Sequence, residues 1–367
     1  MILLYLLGFV LIFSISVLLF LKLAPQFGGK ASGESMARIL RSPNYKHGKF
    51  VNSTGITLDR PGNMFKALKE FLKGGNDRVP AKTLPFKKID INSVDRDPSR
   101  DLRITWIGHS TVLIEIDGYI LLTDPMFGNN ASPVPFFGVK RFNTELPVTA
   151  EELPEIDAVL LTHDHYDHLD HKTILKIKDK VRHFYTPLGV GAHLERWGVS
   201  PEKISEFDWW EEVEIDENIL LAATPACHFS GRSFLDRFET LWCSWVIKGK
   251  TQTAFFGGDS GYFNGFKQIG DKYGPFDISM LESGAYSIYW PDIHMMPEET
   301  VQAHQDLSGK ILMPIHWGSF NLSIHSWTEP IERLMKKAES EDVAVTAPVM
   351  GESFFPADTL PVGKWWK

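Results

Sequence analysis

The chain opens with its longest apolar run. Met1 to Leu21 reads MILLYLLGFVLIFSISVLLFL and carries no charged side chain. A helix needs about 20 apolar residues to cross a bilayer. The run therefore predicts an uncleaved transmembrane anchor over residues 1–23. The alternatives are a cleaved signal peptide and a buried helix. A signal peptide wants a basic start and a small-residue cleavage site; the basic start is missing, and Lys22 stands where the site would fall. Residues 24–100 read as a linker and N-terminal extension. QFGGKASGES is small and polar, and SPNYKHGKFVNSTG is rich in turn formers. Within the extension, Met64 to Gly75 has apolar residues at helical spacing with a glycine at its end.

From Asp101 the period becomes that of strands. LRITWIGHSTVLIEIDGYILLTDPMF predicts three short strands, broken at Gly108 and at the hairpin signal Asp117-Gly118. Ile156 to Thr162, IDAVLLT, is a β-branched apolar run and reads as a buried strand. KTILKIKDK and LGVGAHLERWGV have helical spacing; HFYTP reads as a strand, and ISEFDWWEEVEI leads into another. Further strands are predicted at Ile219 to Ala223, Ala254 to Phe256 and Ile311 to Ile315, and TEPIERLMKKAES predicts a helix. Strands alternating with helices give an α/β catalytic domain over residues 101–356, followed by a C-terminal tail, 357–367. Trp365 and Trp366 in that tail, set beside lysines, suit an interfacial anchor or a packed pair equally. The long loop Gly128 to Asn143 carries Phe136-Phe137 and reads as a lid, a lipid-contacting flap or a packed surface loop.

Charge and composition narrow the class. The formal net charge is −8 and the hydrophobic fraction 43%, ordinary for a globular chain. The acidic balance argues against nucleic acid as a partner. Two cysteines, Cys227 and Cys243, make no disulfide framework. Eleven Trp and 25 Phe suit a core or a membrane interface. Lys22, Lys30, Arg38 and Arg41 follow the anchor against one acid, Glu34. The positive-inside rule then puts the body in the cytoplasm, with the periplasmic side as the alternative.

The chemistry concentrates where the strand Ile156 to Thr162 ends, in His163-Asp164-His165-Tyr166-Asp167-His168. Imidazoles and carboxylates packed this densely repel or desolvate one another unless a cation sits among them. Mixed imidazole and carboxylate suits zinc, with manganese and iron left open. Four ligands in H-x-H-x-D-H are too many for one tetrahedral zinc from so short a loop. They divide: His163 and His165 to one metal, Asp167 and His168 to a second.

This motif resembles the signature of the metallo-β-lactamase superfamily. The resemblance implies a four-layer αββα sandwich with two Zn2+ at one edge and further ligands downstream, each after a strand. His228 in TPACHFSGR is similar to the third histidine of the first metal, and His316 in PIHWGSF to the last ligand of the second. Asp259 in GGDSGYF then bridges the two. An Asp in the position of Asp124 supports a ligand histidine in that family; on its own it is a turn residue before Pro125. His109 in the GHS turn lines the site without serving as a ligand, and His183 and His193 read as structural. GDSG also resembles the nucleophile loop of trypsin-like serine proteases, but the signature those carry around their histidine is missing.

Several runs, HYDHLD, TPACHFSGR, GGDSGYF, HMMPEETVQAH and PIHWGSFNL, resemble the branch of N-acyl-phosphatidylethanolamine-hydrolysing phospholipases D. FGGKASGES and SPNYKHGKFVN are similar to that branch's N-terminal extension. The resemblance implies a phosphodiesterase acting on a membrane phospholipid through a hydroxide held between the metals. Asp167 and Asp259 would serve catalysis as metal ligands. His294 would bind phosphate or protonate the leaving alcohol, and Tyr166 would donate to a phosphate oxygen. Arg232, close behind His228, is expected to face an anionic group. SIYWPDIHMM, residues 287–296, departs from the branch's usual run after GAY, which leaves N-acyl specificity open. The rival readings are a lactonase or sugar-phosphate hydrolase on the same site, and a membrane scaffold that keeps a metal. Oligomeric state is left open.

Overall fold

The computed structural model describes residues 1–53, 61–75, 77–134, 138–216 and 218–367. Two seven-stranded sheets stack face to face. The first is built from β1 (Arg103–Gly108), β2 (Thr111–Ile116), β3 (Tyr119–Thr123), β4 (Ile156–Leu160), β5 (Val181–Pro187) and β6 (Ile204–Phe207). The second holds β7 (Glu212–Ile215), β8 (Ile219–Thr224), β9 (Ser244–Lys248), β10 (Thr253–Phe256), β11 (Phe276–Glu282), β12 (Gly309–Ile315) and β13 (Ala344–Val345). The chain then returns to the first sheet as β14 (Ser353–Phe354). The orders are β6-β5-β4-β3-β2-β1-β14 and β7-β8-β9-β10-β11-β12-β13. In each sheet an antiparallel half meets a parallel one, at β3–β4 and at β10–β11.

Alternation along each strand decides the layers, because successive side chains point to opposite faces. Ile104, Trp106, Ile114, Leu121 and Leu160 meet Leu221, Trp245, Phe256, Met280 and Ile315 in the core between the sheets. Their neighbours Ile107, Leu113, Leu122 and Val159 face outward, under Ile174 and Leu194 of the helices His171–Ile177 and Gly191–Arg196. Val246, Phe255, Leu281 and Leu312 do the same under Phe266, Val301 and Leu334 of Gly265–Tyr273, Pro297–Asp306 and Glu329–Ser340. Strands covered on both faces read as nearly unbroken apolar runs. The result is the expected αββα sandwich. The strands β9 and β11 and the helices Gly265–Tyr273 and Pro297–Asp306 were not expected from the pattern. Asp277, Ser279 and Glu282 interrupt β11 and take partners from outside the strand, among them Lys310, His304 and His294.

The first helix, Ile2–Leu23, stands clear of the body; its Leu4–Leu23 stretch has mean hydropathy 2.7 and is not buried. The segment after it is built in. Arg196 donates to the carbonyl of Leu23 at 2.8 Å, and Trp197 Nε1 to that of Pro25 at 2.7 Å. Gly29 lies so close to the body that a Cβ there would meet the Ala192 carbonyl at 2.1 Å. A helix at Gly33–Arg41 then seats Ile39 in the central core, where Phe50 joins it. At the other end, Trp365 stacks on Trp317 at 5.0 Å and Trp366 is 5% exposed. The tryptophans are thus a packed pair and not an interfacial anchor. Cys227 and Cys243 are buried and not joined to each other in a disulfide. Phe136 and Phe137 lie outside the described residues.

Candidate metal centre

One edge of the sandwich collects the chemistry. Asp124 follows β3, His163 to His168 follow β4, His228 follows β8, Asp259 follows β10 and His316 follows β12. Parallel and antiparallel halves both deliver chain ends to this edge, so residues as far apart as Asp124 and His316 converge. Gly258 makes one approach possible. It adopts φ +58, and a Cβ there would lie 2.6 Å from Thr162 Cγ2.

Two donor clusters result. In the first, His165 Nδ1 lies 2.9 Å from His163 Nε2 and 3.2 Å from His228 Nε2. In the second, Asp167 Oδ2 lies 3.2 Å from His316 Nε2 and 3.6 Å from His168 Nε2. Asp259 Oδ2 reaches both: 3.2 and 3.1 Å from His168 and His316, 3.9 and 3.7 Å from His163 and His228. The structure therefore brings together all seven residues expected as ligands, in the expected division.

The donor set fits divalent metals. His168 Nε2 and Asp259 Oδ1 are buried without a hydrogen-bond partner among the described residues. Burial and the neighbouring imidazoles hold His163 and His228 well below the usual histidine range, so they are neutral, as ligation requires. Burial also opposes charge on His168, yet Asp259, Asp167 and Asp124 overcome it and push that group well up. The carboxylates call for positive charge here, and a divalent cation supplies it in place of the proton. The ring orientations are fixed from behind. Asp124 accepts from His168 Nδ1 at 2.8 Å and from Thr162 N and Oγ1 at 2.8 and 2.6 Å. His163 Nδ1 meets Thr162 Oγ1 at 2.9 Å, and His228 Nδ1 the Ile293 carbonyl at 2.9 Å.

Two residues around the clusters, Glu282 and Asn52, had no assigned role in the sequence, and a third, His109, was expected only to line the site. Glu282 is 1% exposed; its Oε2 accepts from His294 Nδ1 at 2.6 Å and its Oε1 from the Ser260 and Met295 amides. His294 is thereby held over the site, its ring 5.0 Å from that of His228 and 5.6 Å from that of His316. Asn52, from the extension, clasps the backbone of His228. Its Nδ2 donates to the carbonyl at 2.8 Å, and its Oδ1 accepts from the amide at 3.1 Å. His109 brings its Nε2 to 3.0 Å from Asp167 Oδ2. No local signal marks Asn52 or Glu282; the GHS turn did mark His109.

Two expectations change. Arg232 does not turn outward toward a substrate. It is 2% exposed, and its guanidinium donates to the carbonyls of Gln26, Asp164 and Leu169 at 2.9, 2.6 and 2.9 Å. It is a strut between the base of the first helix and the metal loop. Tyr166 donates its hydroxyl to the Arg232 carbonyl at 2.7 Å, with its ring against the guanidinium; that proton is not free for a phosphate. His193 pairs with Asp164 at 3.2 Å, and His183 with Ser205 at 2.8 Å, both away from the clusters.

Comparison with known proteins agrees with this geometry. A family model described as "Beta-lactamase superfamily domain" matches residues 119–317. An uncharacterized protein of Mycobacterium tuberculosis is 43% identical over 334 residues, covering 89% of this chain and 88% of that one. An N-acyl-phosphatidylethanolamine-hydrolyzing phospholipase D 1 of Caenorhabditis elegans is 32% identical over 322 residues, 82% of this chain and 89% of that one. Among solved structures, a metallo hydrolase of Ignicoccus hospitalis superposes with TM-score 0.52 at 20% identity, over 70% of this chain and 98% of that one. The chain belongs to the metallo-β-lactamase superfamily as a metal-dependent hydrolase, with N-acyl-phosphatidylethanolamine-hydrolysing phospholipases D among its homologues.

Proposed function

We propose that this protein is a phospholipase D-type phosphodiesterase acting on N-acyl-phosphatidylethanolamine or a related glycerophospholipid at a membrane surface. One observation carries the reading. Arg232 joins Gln26, three residues past the end of an apolar helix long enough to span a bilayer, to the carbonyls of Asp164 and Leu169 in the metal loop. A site fixed so near the end of a membrane helix suits a substrate that stays in the bilayer. The C. elegans phospholipase D aligns over most of both chains, which supports the same substrate class.

Roles follow from chemistry. His163, His165 and His228 would hold one metal and Asp167, His168 and His316 the other, with Asp259 within reach of both sets. Two such metals would supply an ionised water and electrophilic pull on a phosphoryl oxygen. Asp124 sets the His168 tautomer. Glu282 accepts a hydrogen bond from His294 Nδ1; in the doubly protonated ring the Nε2–H is then left to bind a phosphate oxygen or to pass its proton to the leaving alcohol. The positive charges after the helix put the body on the cytoplasmic side.

The test uses the full chain in detergent, because Gln26 and Phe27 are part of the body. N-acyl-phosphatidylethanolamine in mixed micelles is offered, and release of phosphatidic acid is followed. Metal-dependent release, lost in His165→Ala, is the expected result. Protein that binds two metals and turns over a lactone or a small phosphodiester, but not the lipid, refutes the lipid assignment.

A further inference from the structure

His109 is placed with more care than a lining residue needs. It follows the bulge at Gly108 and adopts φ +55, a left-handed conformation costly for a residue with a Cβ. Three hydrogen bonds hold it there. Its amide donates to Ser319 Oγ at 2.9 Å, and its carbonyl accepts from Trp106 Nε1 at 2.8 Å and from the amide of His316 at 3.1 Å. The ring is 1% exposed, 4.1 Å from that of His316 and edge-on to Phe320. It can present Nε2 only toward Asp167 Oδ2, 3.0 Å away.

What faces the far ring nitrogen bears on whether a ring donates or ligates. A ligating imidazole passes its other N–H to an acceptor. His168 does so to Asp124 and His228 to the Ile293 carbonyl. His109 Nδ1 is buried with no hydrogen-bond partner among the described residues; His316 Nδ1 is likewise unbonded, but the Glu282 carboxylate stands 4.0 Å from it. Were His109 Nε2 a ligand, its Nδ1 would carry a buried N–H with no acceptor within reach, an unfavourable arrangement. With the proton on Nε2 instead, Asp167 accepts it and Nδ1 is a bare lone pair. An ionised carboxylate oxygen has lone pairs enough for this bond and a metal.

We propose that His109 is a positioning residue for the second metal: its Nε2–H pins Asp167 so that the carboxylate faces His168 and His316. This rests on reading the two donor clusters as metal sites. It also explains why the loop after β1 is tied to His316 by a backbone bond, since donor and ligand then move as one unit.

The test counts bound metal and does not rely on turnover. Full-length protein in detergent is stripped with a chelator, titrated with Zn2+, and its zinc measured per chain. His109→Gln keeps an N–H near the Nε2 position; His109→Phe keeps the ring and loses the donor. The expected result is two zinc for wild type and His109→Gln. His109→Phe is expected to hold one firmly, with the second weakened about 10–100-fold. With Co2+ in place of zinc, the absorption bands of His109→Gln should match wild type, because no ligand has changed. Full second-site affinity in His109→Phe overturns the proposal. So does loss of the second metal, or a shifted Co2+ spectrum, in His109→Gln, which would make His109 a ligand; that arm decides even if His109→Phe fails to fold. Wild-type protein that binds no zinc overturns the two-metal reading itself and this inference with it.

Discussion

Asn52→Leu removes a clasp without changing the side chain's size much. Asn52 is 6% exposed, so nothing but protein replaces what it offers. The substitution leaves the buried amide and carbonyl of His228 unpaired, together with one of the two bonds made by Trp242 Nε1, which keeps the Ala226 carbonyl. A buried polar group left unpaired costs about 1–3 kcal/mol. Two such groups, partly relaxed, give about 3 kcal/mol, a sizeable share of the roughly 5–15 kcal/mol that holds a domain folded. The melting temperature should fall by about 6–12 °C, taking about 2–4 °C per kcal/mol for a large domain. A second effect is local: His228 loses its backbone anchor, so the first metal should bind about 10–100-fold more weakly. Asn143→Leu is the control. Asn143 clasps the amide and carbonyl of Leu84, each at 2.9 Å, in the same way but not at a ligand. It should cost similar stability and leave the first metal alone. The assay is calorimetry of the metal-free proteins, with zinc counted after reconstitution. Equal zinc affinity in the two variants would refute the claim that the extension supports the site.

Two further predictions rest on buried groups. In Asp124→Asn the amide must turn its N–H2 either toward His168 Nδ1 or toward the Thr162 backbone amide; the first choice moves the histidine proton to Nε2, where a metal should bind. Second-metal affinity should drop about 10–100-fold, and an unchanged zinc titration would count against the assigned tautomer. His304 is 2% exposed, its Nδ1 is bonded to Ser279, and burial pushes its pKa down to about 4. The unfolded chain takes up that proton near the ordinary value of about 6.5, so the unfolded state binds more protons below it. The neutral ring's contribution is complete above about pH 6.5 and is lost as pH falls toward 4, an effect of about 3 kcal/mol. Urea unfolding of wild type and His304→Gln at several pH values checks this; the variant should lose less stability over that window, and parallel curves would sink the account.

The sequence by itself determined what is local. A run of apolar residues without charge makes a long helix whatever lies nearby, and short apolar runs broken at Gly108 and at Asp117-Gly118 marked where β1, β2 and β3 lie. The loop from His163 to His168 declared itself because its donors are crowded into one short segment, where only a cation relieves them. Solitary residues gave no such signal. His228, Asp259 and His316 stood out through resemblance to a family, and Asn52 and Glu282 did not stand out at all, because each matters through a partner 12 to 176 positions away. Only the stacking of two sheets, with their strand ends at one edge, brings those partners within hydrogen-bond reach. The same folding turned Arg232 inward: once the extension packs against the body, the carbonyl of Gln26 lies beside the metal loop and needs a donor. Trp365 and Trp366, ambiguous beside their lysines, were decided by the exposed edge of Trp317 that they cover. Pattern sets which face of an element is apolar; which distant element meets that face depends on the whole chain's packing, and the lone functional residues are positioned by that choice.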